Sequence, residues 1–382
     1  MKTRIFSIAE EDIFICMNKL KQQIDVHIPN YNYLLFSIHP RYQFHKIHDS
    51  IYYTFNTKNY AAFHAIDTFE NDKIQEGVTV CCFDFQKNGK INTFYIDDIF
   101  VQYDGLSSVA KTANYLNENT DNFHIVLAGL CNDTIGTFIE DVSNSLEYAP
   151  IDNIVGGVSS GVSNENGLDT FQFIDKKVIK NGLFILSFEN FDATIDVSLG
   201  FKPYGITYEV KKAHGAKLYT VDDGKNFPYM MEKLFDGLAE KDVHYLWYTP
   251  LGFIDSKDSY MTTLRTVKDI TDEYVEFFAP INKGDHFKLT FATPQELIKK
   301  DKEIASHLAF KLDSIDIAFN FSCIARQYVL EDKQKDELTA YNEAFNSPLF
   351  GFFTFGEIGP DKMYQKLKFY NETSLAVVMQ EK

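Results

Sequence analysis

The sequence predicts an α+β fold (mixed α/β), with helices covering mixed β-sheets in two pseudo-repeated domains that carry a β-rich insert. Three observations predict it. Amphipathic helical stripes are each followed by a short apolar strand. The same element order recurs along the chain. A stretch of about one hundred residues before the last repeat then changes from helical to alternating, strand-like patterning.

The first stripe is Ile13, Met17, Leu20 and Ile24, behind a capping box of Ser7 with Glu10. A second joins Leu106, Val109, Ala110, Ala113 and Leu116. A third buries Leu297, Ile304 and Leu308 behind Thr293 as N-cap, Pro294 in the first turn and Glu296 at the third position. Strands follow at Tyr33–Ile38, Ile125–Leu130 and Ile317–Phe321. The steps Ile24 to Tyr33, Leu116 to Ile125 and Leu308 to Ile317 are equal, nine residues each. A further helix comes next in the second unit (Ile135, Phe138, Ile139, Val142, Leu146) and the third (Leu338, Tyr341, Phe345). Strands containing glycine then run from Ile154 to Ser159 and from Leu349 to Thr354. Lys177–Leu186 parallels Leu367–Ala376, which sets Asn181 opposite Asn371 and Cys131 in the place of Cys323. A first unit repeats the order more faintly, through a helix near Ile47–Phe55 and strands in Ala61–Phe69 and Val78–Phe85.

Between the later units, Asp196–Gly200, Ile206–Val210, Tyr274–Phe278 and Phe287–Phe291 read as strands of antiparallel hairpins. One helix interrupts them, with Phe227, Met230, Met231, Leu234 and Leu238 on its face. The expected domains are 1–200 and 201–382, the second including the insert at 201–292.

Hydrophobic residues are 45% of the 382, with 35 Phe and 22 Tyr, enough for a substantial core. A net charge of −17 would repel phosphate backbones and anionic membranes, so neither nucleic acid nor a membrane is an expected partner. No apolar run reaches the length of a membrane span, and the start has no signal-peptide pattern. Five cysteines without CxxC spacing read as reduced thiols of a cytoplasmic protein.

Gly157-Val158-Ser159-Ser160-Gly161 matches the nucleophile elbow G-x-S-x-G. That device needs a helix next, and here Asn164–Gly167 reads as a turn and Thr170–Ile174 as a strand. The run reads instead as a close-packed strand that lets a backbone or ligand approach, so Gly156, Gly157 and Ser159 are candidate ligand contacts. No phosphate loop and no H-E-x-x-H zinc motif occurs. His64 and His124, in or beside apolar strands, are the histidines expected to face an interior.

Asn320–Arg326 is more specific: an apolar strand runs out into Ser322, Cys323 and Arg326 before a helix. Ligands of helix-covered sheets bind at such strand ends. Gly351–Pro360 supplies Glu357 at a second strand end, and Asn371 with Thr373 a third. Cys323, Arg326, Glu357, Asn371 and Thr373 are therefore expected around one cavity. Arg326 would hold a ligand carboxylate and Glu357 a ligand ammonium. The alternative is a buried Arg326–Glu357 pair with only a structural role.

These segments, FNFSCIAR, PLFGFFTFGEIGP and YNETSLAVV, resemble the signature of the FIST C-terminal domain. IVGGVSSG with KNGLFILSF is similar to the later part of the FIST N-terminal domain. One departure stands out: Ala61-Ala62-Phe63-His64 replaces the family's first glycine-rich strand. The resemblance implies a non-enzymatic sensor of a small ligand, with amino acids proposed. Its signal would pass to a separate histidine kinase, chemoreceptor or cyclic-dinucleotide enzyme. It makes haem, in a nitric-oxide sensor, the alternative ligand. A protein-recognition scaffold is the second alternative.

Overall fold

The computed structural model describes residues 1–164, 167–174, 176–237, 242–255, 260–361, 363 and 365–382. Three units follow one another, each built as edge strand, helix, central strand, helix, inner strand, hairpin and closing strand. Their central strands are Tyr33–Ile38, Phe123–Ala128 and Ile317–Cys323. Each central strand pairs parallel with the inner strand (Tyr60–His64, Ile154–Val158 or Leu349–Thr354). On its other side it pairs antiparallel with the closing strand (Val78–Asp84, Leu183–Glu189 or Ser374–Glu381). Edge strands Lys2–Ile8, Lys90–Ile96 and Phe191–Ser198 flank the closing strands.

The hairpins are exchanged in a ring. Gln172–Ile174 of the second unit pairs with the inner strand of the first, and Glu357–Asp361 of the third with that of the second. Thr68–Glu70 of the first returns to the third. An identical backbone bond fastens each exchange: His64 N to Phe171 O, Val158 N to Gly356 O, and Phe353 N to Asp67 O. Every inner strand thereby loses its open edge, which would otherwise present unpaired backbone groups. The repeat is threefold, and the faint first unit is a full member, with its second helix at Phe44–Phe55.

Side chains alternate along the strands, so one face of every sheet turns inward and the other meets helices. Leu35, Phe63, Ile125, Phe184, Phe319, Phe352 and Val377, from all three units, share the central core. Outer faces bury Leu34 and Phe36 against Met17 and Leu20, Val126 against Phe138, and Ala318 against Leu308 and Tyr341. Burial on both faces makes Tyr33–Ile38 a nearly continuous apolar run, broken only by Ser37, rather than an alternating one. The third unit's first helix, Pro294–Ala309, has the expected capping box of Thr293 and Glu296. The first unit's helix is instead capped by Asp12, whose carboxylate accepts from the Phe14 and Ile15 amides, while Ser7 lies in the edge strand.

Backbone pairing also resets the repeat alignment. The second unit's central strand begins at Phe123, so the equal nine-residue steps do not mark equivalent positions. Cys323 N bonds Thr373 O, Gly129 N bonds Gly182 O, and His39 N bonds Gly77 O. Gly129 is therefore the counterpart of Cys323, and Cys131 lies two residues beyond. By the same register Asn181 corresponds to Glu372 rather than Asn371. Gly156 and Gly351 are true counterparts. A Cβ on either would lie 1.8 or 2.1 Å from the carbonyl of Val126 or Asn320, and Ala62 holds their place in the first unit.

The insert runs between Ser198 and Pro294, and its described residues form an eight-stranded antiparallel sheet with its own core around Phe227, Val267, Phe277 and Phe287. Its helix is Phe227–Leu234, and Leu238 lies outside the described residues.

Candidate functional site

The strand ends of the three units meet on one side, where the chain leaves the sheets and the central core stops. A cavity of about 450 Å³ lies there. Its wall takes counterpart positions from different units: Ile66 and Phe355 after inner strands, Leu130 and Ile324 after central strands. Cys323 and Ala325 complete that side, and Tyr328 projects from the short helix Ile324–Leu330. The insert supplies the roof, through Val243, His244 and Trp247 of the turn Val243–Tyr248, with Thr266, Lys268 and Phe278. Trp247 is fixed by its indole N–H, which donates to Val267 O at 2.9 Å. Its ring meets Tyr328 edge-on at 4.6 Å, and His244 stacks on Tyr328 at 5.1 Å. Lys268 is held by Asp133 at 2.7 Å and Glu276 at 3.2 Å.

Most of this lining is apolar or aromatic; its polar members are His244, Thr266, Lys268, Tyr328 and Asn371, the last belonging to the connection Asn371-Glu372-Thr373. Asn371 lines the cavity, is 2% exposed, and its Oδ1 has no hydrogen-bond partner. Glu372 is fully buried beside it. Its Oε1 accepts from Thr266 Oγ1 at 3.1 Å, while its Oε2 is unpartnered. Burial raises the Glu372 carboxyl well above the usual range. Glu372 also sits at φ 56°, a left-handed conformation that a glutamate adopts only at a cost.

Glu357 accepts from Thr373 Oγ1 at 2.6 Å, from Thr373 N at 3.3 Å, and from Thr354 Oγ1. Burial pushes its carboxyl up to about 8, against the lowering effect of these donors. The Cys323 thiol is raised by burial first, then by Glu357 and Glu372. It is thus held as a neutral thiol, the opposite of a reactive thiolate.

Arg326 points elsewhere. Its Nη2 donates to Asp301 at 2.5 Å and its Nε to Glu337 at 3.1 Å, all fully buried. Ser322 and Gln327 extend the cluster to the Glu337 carboxylate, and Tyr341 joins Asp301. Burial lowers the Arg326 pKa, and the two carboxylates raise it by more. Neither expected role survives intact: Arg326 does not pair with Glu357, and its charge is already matched by two buried anions.

Cys323 and Asn371 therefore line the cavity, while Glu357 and Thr373 bond to each other behind it. Gly156 and Gly157 lie in the inner strand beneath, where Gly157 leaves room for the Thr354 methyl. Ser159 Oγ meets the Gln172 side-chain amide at 3.1 Å, and Ser160 Oγ accepts from Ile66 N. The chain runs from Val158 into strand Val162–Asn164 with no intervening helix, so the nucleophile elbow is absent from these described residues. Sequence reasoning missed Trp247, Tyr328, Thr266 and Glu372. Trp247, the single tryptophan, in the aromatic run His244-Tyr245-Leu246-Trp247-Tyr248, was the available signal.

His124 and His64 are both buried. His124 bonds Ser187 Oγ at 2.8 Å and Asn119 O at 3.0 Å, whereas neither ring nitrogen of His64 has a partner. Among the described residues no cluster of three or more His, Cys, Asp or Glu is placed to hold a metal ion, and no helix is long and apolar enough to cross a membrane.

Comparison with known proteins gives two family matches: the FIST N domain over residues 35–224 and the FIST C domain over 230–360. An uncharacterized protein of Aquifex aeolicus (strain VF5) is 34% identical over 233 residues, 60% of this chain and 86% of its own length.

Proposed function

Because this chain belongs to the FIST family, whose domains are sensory domains of signal transduction, we propose that it is a small-molecule sensor and that the cavity beneath the insert is its ligand chamber. The observation that carries this reading is the partnerless Oδ1 of Asn371, a buried residue of a largely apolar wall. A buried amide oxygen without a bond costs stability, so the site is arranged for a group it does not itself contain. The volume suits a ligand of amino-acid size, at the lower end of known small-molecule pockets. The signal passes to a separate partner protein of the histidine-kinase, chemoreceptor or cyclic-dinucleotide class. The chamber roof belongs to the insert and its walls to the three units, so occupancy is felt by both.

Haem fits this lining poorly. Among the described residues the wall offers one histidine, His244, packed between Tyr328 and Trp247. Among the described lining residues one cation could meet propionates, Lys268, already engaged by two carboxylates.

Trp247 makes the test direct, since the chain's entire indole fluorescence arises at the chamber. A metabolite panel that includes the common amino acids should yield compounds that shift this emission and raise the melting temperature through linkage. Ala325→Phe, which fills the chamber, should abolish both responses. Hits that bind the filled variant equally well, or a panel without any hit, would remove the basis for the chamber. Hemin titration covers the alternative: a stoichiometric Soret band lost in His244→Ala would favour haem.

A further inference from the structure

We infer that the chamber's ligand is an organic cation, an amine or ammonium group on an apolar body; this rests on the chamber reading above. The expected partner of a ligand carboxylate, Arg326, does not line the cavity; its Nη2 and Nε are bonded to Asp301 and Glu337, and its Nη1 is buried without a partner. The lysine on the wall, Lys268, is neutralised by Asp133 and Glu276. An anionic or zwitterionic ligand would thus bury its carboxylate with no free cation among the described lining residues, a costly arrangement.

What remains unmatched, in the lining and just behind it, are two buried oxygens. Asn371 Oδ1 and Glu372 Oε2 both lack partners, and Glu372 is joined to the lining through Thr266. A ligand N–H group entering between Asn371 and Thr266 would satisfy the amide oxygen. It would also draw the Glu372 carboxyl into a charge-assisted bond. The rings of Trp247, Tyr328, Phe278 and Phe355 supply π faces and apolar area for the rest of the molecule. The net charge of −17 adds a long-range attraction for cations.

Four probes with the same aromatic body separate the possibilities: phenethylamine, phenethyl alcohol, phenylpropionate and, as the zwitterion, phenylalanine. Titrated against the whole protein at pH 7 and followed through Trp247, phenethylamine should bind at least tenfold more tightly than the other three. Glu372→Gln should bring the amine down to the alcohol's affinity and leave the alcohol unchanged. Asn371→Leu provides the same comparison should the first variant fail to fold. If the alcohol or an anion binds as tightly as the amine, the cation assignment fails while the chamber stands. If no probe perturbs Trp247 and Ala325→Phe changes nothing, both readings fail together.

Discussion

Gln172 and Glu357 occupy the same position in successive units. Gln172 pairs in register with Phe63 of the first inner strand, and Glu357 with Gly157 of the second. Each side chain meets a hydroxyl at the end of its own unit's inner strand, Ser159 for Gln172 and Thr354 for Glu357. Thr68 holds the third equivalent place, opposite Phe352, and meets Thr79. An amide, a carboxyl and a hydroxyl thus pin the three exchanged hairpins. A carboxyl held at about 8 is largely protonated at neutral pH, and in that form it is nearly isosteric with the amide of Gln172.

Glu357→Gln should accordingly fold as well as the parent and change its response to pH. The folded-state pKa, about 8, lies above the ordinary 4.5, so the folded protein holds a proton that the unfolded chain has lost. Stability from this group is complete below about 4.5 and declines as pH rises through 8, by a few kcal/mol at most. Urea unfolding at pH 5.5 and pH 9 should show the parent weakening more than the variant. Equal weakening would mean that Glu357 is ionised in the folded protein.

Arg326→Met should destabilise by about 3–5 kcal/mol, because Asp301 and Glu337 are left buried without a counter-charge. Adding Asp301→Asn and Glu337→Gln should recover much of that loss by removing the stranded charges. Ligand affinity in the folded fraction should be unchanged. A stable Arg326→Met protein that no longer binds ligand would return Arg326 to the binding site.

His64→Leu should raise stability by roughly 1 kcal/mol, since it removes two buried ring nitrogens that bond to nothing. The ring lies 5.4 Å from both Phe171 and Phe173, an environment suited to an aliphatic side chain. Burial pushes the His64 pKa down to about 3 from 6.5. The unfolded chain therefore binds a proton that the folded one refuses, and stability falls as pH drops from 6.5 towards 3. The variant should lose this acid sensitivity in thermal melts between pH 4 and pH 7. A less stable variant would point to an unseen partner for the imidazole.

Local chemistry made much of the fold legible. The helix cap at Thr293-Pro294-Glu296 is a contact within a few residues, and the strands Tyr33–Ile38 and Leu349–Thr354 and the buried faces of the helices are marked by apolar residues at short, regular spacing. The order of elements exposed the repeat, and the strand ends pointed to the region where Cys323 and Asn371 line the cavity. Register and partnership are non-local. A slip of one residue separates Asn181 from Asn371, and only backbone bonds such as Cys323 N to Thr373 O fix it. The exchanged hairpins, the roof that brings Trp247 over Tyr328, and the choice of Asp301 and Glu337 over Glu357 as partners of Arg326 were decided by tertiary structure. Apolar periodicity tells a segment which face to bury; it does not say against which distant segment, because every buried face is satisfied by any apolar surface of matching shape.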